Sequence, residues 1–426
     1  MKTFSGWLAV VFVAGSCLAQ EAAPVKNVLV LHAARMLDVA SGSIVTPGEV
    51  LVEGERIVAV GSHVERPAGA EVIDLGDTTL MPGLIDAHVH LFLHVGDEGM
   101  QTVQESVPER TLYAAEAAKN DLMAGFTAER DMGTEGAGAA DTAVRNAINR
   151  GMIPGPRMRI SGNAISLTGG HEDAIGFNPD QHVLSNATYA DNADELVKTI
   201  REQIKLGADF IKIYETGRDS YQDKVFKSTY QYTEAELAVA VAEAARLGTV
   251  VGVHCTADPG ASYAVAAGVS SIDHAYYLSD ATMRSMKEKQ IYAVPTFAIA
   301  EYFADHSPNP AAAEHRRAEQ DFHAEAFRKQ LAAGVPMAVG SDVGPFPHGT
   351  QARELELMVQ FGMKPVAALQ ADLLNGAKLL MWEGKIGELK AGYYADVIAV
   401  QGNPIADISA VTKVKFVMKG GMIYKH

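Results

Sequence analysis

Two histidines two residues apart, His88 and His90, close the apolar run LIDAHVH. On a β-strand, residues i and i+2 leave the same face, so both imidazoles would converge on one point. Further along, His254 ends TVVGVHC, His274 lies near the end of SSIDHAYYL, and Asp342 closes VPMAVGSDVG. Four imidazoles and a carboxylate suit a borderline divalent ion such as Zn²⁺ and make a hard-ion site improbable. Lys212 is the odd member, held between Ile211 and Ile213 in ADFIKIYETG. An ammonium turned into a core needs an opposite charge or a lowered pKa. One reading turns it outward or pairs it with an acid such as Asp209. The other has the neutral amine take up carbon dioxide and become a carbamate, an anionic oxygen ligand able to bridge two metals. Cys255 points away from His254 across its strand and reads as core.

These residues need elements that bring them together. Eight strand-like runs alternate with helical stretches: GLIDAHVH, then 125–133, 157–166, 208–217, 249–255, 270–278, 291–297 and 335–344. Between them ADELVKTIREQIKLG and TEAELAVAVAEAARLG read as amphipathic helices stopped by glycine. Eight βα units predict a (β/α)8 TIM barrel, whose chemistry sits at the C-terminal strand ends. The metal-competent residues recur at such ends. Short alternating strands with turn signals fill both ends of the chain, at 26–83 and 385–426, and predict one small β-sandwich built from the two termini. The barrel then spans 84–384.

The 426 residues carry a formal charge of −16 and no basic cluster, which excludes a nucleic-acid surface. The opening MKTFSGWLAVVFVAGSCLAQ has one cation, an apolar stretch and small residues up to Ala19. It reads as a signal peptide over 1–19, so export to the periplasm or the exterior is expected, with lipid anchoring at Cys17 as the lesser alternative. Cleavage would leave Cys255 alone, so no internal disulfide can brace the chain. No membrane span is expected.

LIDAHVH, followed in order by Lys212, His254, His274 and Asp342, resembles the amidohydrolase superfamily in its binuclear form. The resemblance runs over nearly the whole mature chain, with PGLIDAH at the barrel's entry and GELKAGYYADVIAVQGNP at its exit. It implies that His88, His90 and Asp342 bind the more buried metal and His254 and His274 the second, with Lys212 as an N6-carboxylysine bridge. It further implies a nucleophilic hydroxide between the ions, and Asp342 as the catalytic group that passes its proton to the leaving nitrogen. No role falls to His94, His306, His315, His323 or His348.

Within that superfamily, GFTAERDMG, SLTGGHEDA and GADFIKIYETG resemble the metal-dependent dipeptidases and carboxypeptidases, and most of all the ochratoxin-hydrolysing members. The implied substrates are N-acyl amino acids or dipeptides, including ochratoxin A cleaved to ochratoxin alpha and phenylalanine. The resemblance assigns the substrate carboxylate to His171 and Tyr214; Arg218, just past its strand, is an added candidate. The resemblance implies a homo-oligomer, octamers among its forms. The alternatives are a hydrolase of cyclic amides or lactones of imidazolonepropionase type, and a metal-holding barrel without turnover. Asp342 counts against the latter, since storage needs no proton shuttle.

Overall fold

The computed structural model describes residues 28–178 and 180–426; the signal segment predicted over 1–19, with Cys17, lies outside them. Near the amino terminus, Val28–Ala33, Gly48–Glu53, Arg56–Gly61 and Glu71–Asp74 form a four-stranded sheet. A six-stranded sheet draws on both chain ends. In it Val397–Gln401 lies antiparallel to Thr78–Pro82, with Ile398 opposite Met81. The two sheets meet in one cluster that includes Leu31, Val50, Leu80, Val397 and Phe416. Burying this apolar face is what ties the carboxyl-terminal strands to the amino-terminal ones.

Between the terminal segments the chain forms the (β/α)8 barrel. Parallel strands Leu84–Val89, Phe126–Asp131 and Arg157–Ile160 form one arc. A second arc runs through Ile165–Ser166, Ile211–Tyr214, Val251–Ala257, Ser271–Tyr277 and Tyr292–Val294. The third predicted strand is thus split, and it resumes at Ile165, which pairs with Ile213. Strand eight, expected over 335–344, is not a regular strand. It makes two bridges, Met337 to Ala293 and Val343 to Val89, and closes the ring through the His90 N–H donated to the Val343 carbonyl at 2.8 Å. Pro336 has no N–H to donate, and Asp342 sits in the left-handed region at φ 61°, so a continuous ladder cannot form there. Gly340 permits the tight closure, because a Cβ there would lie 2.7 Å from the His88 Cβ.

The helices follow their sequence signals. Asn192 caps Ala193–Leu206, and Gly207 ends it at φ 115°. Thr233 and Glu236 form a reciprocal capping box at the start of Glu234–Arg246. Among the described residues no helix is long and apolar enough to cross a membrane.

Candidate active site

A cavity of about 320 Å³ opens at the C-terminal ends of the barrel strands. His88, His90, Lys212, His254, His274 and Asp342 all line it, drawn from the first, fourth, fifth, sixth and eighth positions of the ring. The Nε2 atoms of His88 and His90 are 3.2 Å apart, and Asp342 Oδ1 is 3.3 Å and 3.2 Å from them. Two imidazole nitrogens cannot face each other beside a carboxylate oxygen at that distance without a proton or a cation among them. The His274 ring lies 5.1 Å from that of His88 and 4.4 Å from that of His254, and the buried His254 Nε2 has no hydrogen-bond partner. Burial holds the His254 and His274 imidazoles well below their ordinary pKa, so each can offer a lone pair. His88, His274 and Asp342 bring ligand atoms within 4.8 Å of one another, a grouping that could hold a divalent metal ion, and His90, Lys212 and His254 line the same cavity.

The far nitrogens of the rings each have a polar neighbour, and that of His274 makes a hydrogen bond. His88 Nδ1 lies 3.2 Å from Asp273 Oδ2, His90 Nδ1 lies 2.8 Å from Glu135 Oε1, and His274 Nδ1 bonds the Thr296 hydroxyl at 2.8 Å. Such partners fix which nitrogen faces a metal and raise its basicity. Burial works against the charge of Asp342, yet His88 and His90 hold its carboxyl well below the usual range.

Lys212 is buried, with Asp273 Oδ2 at 3.8 Å as its nearest carboxylate oxygen. Asp209, weighed above as a partner, instead pairs with Arg145 and Arg159. Burial pulls the Lys212 ammonium below its ordinary range against the opposing pull of Asp273 and Asp342. The main partner of Asp273 is the buried Arg130, 3.4 Å away, whose Nε donates to the Ala87 carbonyl at 2.6 Å. Replacing Arg130 by Met would leave a buried carboxylate without its cation beside His88. A loss of about 3–5 kcal/mol is expected, read as a lower denaturant midpoint at unchanged slope. An unshifted midpoint would mean that Asp273 does not depend on Arg130.

His171 and Tyr214 stand beside the metal-competent residues. The His171 ring stacks on His254 at 4.1 Å and lies tilted against Tyr214 at 4.8 Å, and His171 and Tyr214 both line the cavity. Arg218 does not join them. Its backbone is left-handed at φ 55°, and its guanidinium donates to the Gly169 carbonyl at 2.9 Å, over a separate cleft. The guanidinium that does line the cavity is Arg316, set 5.2 Å above the Phe303 ring. Sequence reading passed over it, because one arginine in a polar helix carries no local signal. It also passed over Glu135 and Asp273. The latter had a signal: an acid inside the apolar SSIDHAYY is as costly as Lys212 in its own strand. Cys255 is buried and reduced in the barrel core, as expected.

Three non-glycine residues at successive strand ends, His274 (φ 76°), Thr296 (φ 54°) and Asp342 (φ 61°), sit in the left-handed region. Strain of this kind persists only where surrounding structure enforces it, and it gathers at functional sites.

Comparison with known proteins agrees with this geometry. Residues 79–423 match the amidohydrolase family model. The chain is 32% identical over 409 residues to the ochratoxinase of Aspergillus niger, covering 88% of this chain and 82% of that one. It is 24% identical over 384 residues to an imidazolonepropionase from Geobacillus sp., covering 83% and 84%. A solved structure of a Xaa-Pro dipeptidase with bound methionine superposes with a TM-score of 0.85 at 30% identity, covering 94% of this chain and all of that one. A family match spanning the barrel and the carboxyl-terminal segment makes this chain a member of the amidohydrolase family and a hydrolase of amide bonds.

Proposed function

We propose that the protein is a binuclear zinc amidohydrolase that removes the C-terminal amino acid from N-acyl amino acids or dipeptides, ochratoxin A among them. The observation that carries this reading is the convergence of His88, His90 and Asp342 on one point, with His274 beside His88, His254 beside His274, and buried Lys212 lining the same cavity. His88, His90 and Asp342 would hold one ion and His254 and His274 the other, with a carboxylated Lys212 between them. When bound, such ions activate water and polarise a carbonyl. Asp342 keeps a second carboxylate oxygen for the proton of the attacking water and delivers that proton to the leaving nitrogen. Asp273, Glu135 and Thr296 keep the three imidazoles turned toward the cavity.

His171 and Tyr214 hold the substrate carboxylate beside this centre, and the apolar Leu93, Ile299 and Phe303 supply the wall for a large side chain or acyl group. Hydrolysis of cyclic amides or lactones is the second reading, favoured by the likeness to imidazolonepropionase, and it has no use for a carboxylate clamp. The proposal includes export, based on the amino-terminal segment. It also includes a homo-oligomer, an octamer being the form the family resemblance implies.

The test is release of free amino acid from a panel of N-acyl amino acids and dipeptides, ochratoxin A included, before and after chelation. Phenylalanine release that chelation abolishes and Zn²⁺ restores is expected. The Tyr214→Phe variant, run on the same panel, should show a raised KM with kcat little changed, as loss of uniform binding requires. An unchanged KM removes Tyr214 from the clamp, and silence across the panel with Zn²⁺ present transfers the assignment to cyclic substrates.

A further inference from the structure

Helix Phe297–Asp305 begins in an unusual way. Thr296 holds its N-cap position, where a threonine hydroxyl ordinarily accepts from the first free amides of the helix. Here that hydroxyl makes no cap bond. A carboxyl group from another helix does the work instead: Glu354, in Arg353–Gln360, is buried and accepts the Ala298 N–H at 2.7 Å through Oε2. The freed Thr296 hydroxyl lies 2.8 Å from His274 Nδ1, and both residues are buried.

The backbone reinforces the point. Thr296 has φ 54° and ψ 51°, a left-handed conformation that a β-branched residue adopts only under constraint. Glycine or asparagine would take that turn more easily. A residue ill suited to its backbone, excused from its usual capping duty and bonded to a ligand-competent imidazole, is placed there for the bond it makes. The partner is also distinctive, since His88 and His90 each face a carboxylate and His274 faces a neutral hydroxyl.

We infer that Thr296 is a positioning residue that fixes the His274 ring with Nδ1 toward its hydroxyl and Nε2 toward the cavity, and that Glu354 takes over the helix cap so that it can do so. The inference rests on the binuclear reading above. Because its hydroxyl partner is uncharged, His274 is the less basic donor, so the ion it shares with His254 is the more weakly held of the two.

Three variants separate the bond from the strain. Thr296→Val keeps the β-branch and loses the hydroxyl, Thr296→Gly loses the hydroxyl and relieves the backbone, and Thr296→Ser keeps the hydroxyl. Divalent-ion binding is measured by competition with a chromophoric chelator, alongside thermal unfolding. In Thr296→Val and Thr296→Gly one of two bound Zn²⁺ ions should weaken by about 10–100-fold while the other holds, and Thr296→Ser should restore it. Thr296→Gly should lose affinity even where its melting temperature matches or exceeds that of the unaltered protein, which a merely structural role would not produce. If Thr296→Val does not fold, the glycine and serine variants decide alone. Two ions bound with unchanged affinity in every folded variant overturns the assignment of Thr296 only, whereas an unaltered protein that binds no divalent ion overturns the binuclear reading with it.

Discussion

Asp342→Asn is expected to lower kcat by about 10³–10⁴-fold on any amide substrate the protein accepts, with the fold intact. Asparagine matches the size of aspartate and keeps one oxygen toward His88 and His90, so packing at the buried strand end changes little. Charge and basicity are lost. The carboxylate lies 3.3 Å and 3.2 Å from two imidazole nitrogens that hold it ionised, and an amide in its place can neither balance them nor accept a proton. Both functions proposed for Asp342 therefore fail together, which is why the effect should exceed that of any substrate-binding change in the cavity. Steady-state kinetics with the ion content of the same preparation make the check. A variant within about tenfold of the unaltered protein would move the proton transfer elsewhere, since general acid–base groups contribute 10²–10⁴-fold. Glu98 would then be the next group to examine, because it lines the same cavity and burial beside Glu172 and Asp342 raises its carboxyl to about 8.

What the sequence disclosed and what it withheld divide along physical lines. His88 and His90 were legible because a two-residue period is local. The strand-end histidines and Asp342 were legible because apolar runs mark where strands stop and the barrel rule says which end matters. The joining of the two termini followed from alternation in both, and the pairing of Val397–Gln401 with Thr78–Pro82 satisfies it. The split third strand and the irregular eighth were not legible, since both depend on how closely neighbouring chain segments approach, as at Gly340 against His88. Arg218 and Arg316 show the same limit in the site. Proximity in sequence favoured the first, but a left-handed turn sends it to Gly169, and a helix from a distant part of the chain brings the second to the cavity. Glu129, inside the second strand, is a further case that the sequence does not explain. It is fully buried, both its carboxyl oxygens lack partners, and burial together with Asp121 and Asp86 pushes its pKa up.

Lys212 gives the second large effect, and its test reaches beyond loss of activity. The amine is buried, its nearest carboxylate oxygen is 3.8 Å away, and burial favours its uncharged form, the form that reacts with carbon dioxide. In that step a bond forms between Nζ and the carbon of CO₂, one proton leaves to solvent, and an uncharged amine becomes an anionic oxygen ligand. Lys212→Ala removes the proposed bridge and should cost at least about 100-fold in activity, the scale set by losing a group that supports a metal site. That result alone would also follow from damage to the core, so reloading decides. Protein stripped of metal at mildly acidic pH, where a carbamate decomposes, should regain activity with Zn²⁺ promptly in bicarbonate buffer and only slowly in buffer freed of carbon dioxide. Lys212→Arg should recover in neither, because a guanidinium stays charged and cannot form the carbamate. A short carboxylic acid added to Lys212→Ala should restore part of the lost activity by occupying the emptied space with the same two oxygens. Equal recovery in the two buffers, with no rescue of the alanine variant, would leave Lys212 an ordinary buried amine and would require the two ions, if both bind, to be joined by another group.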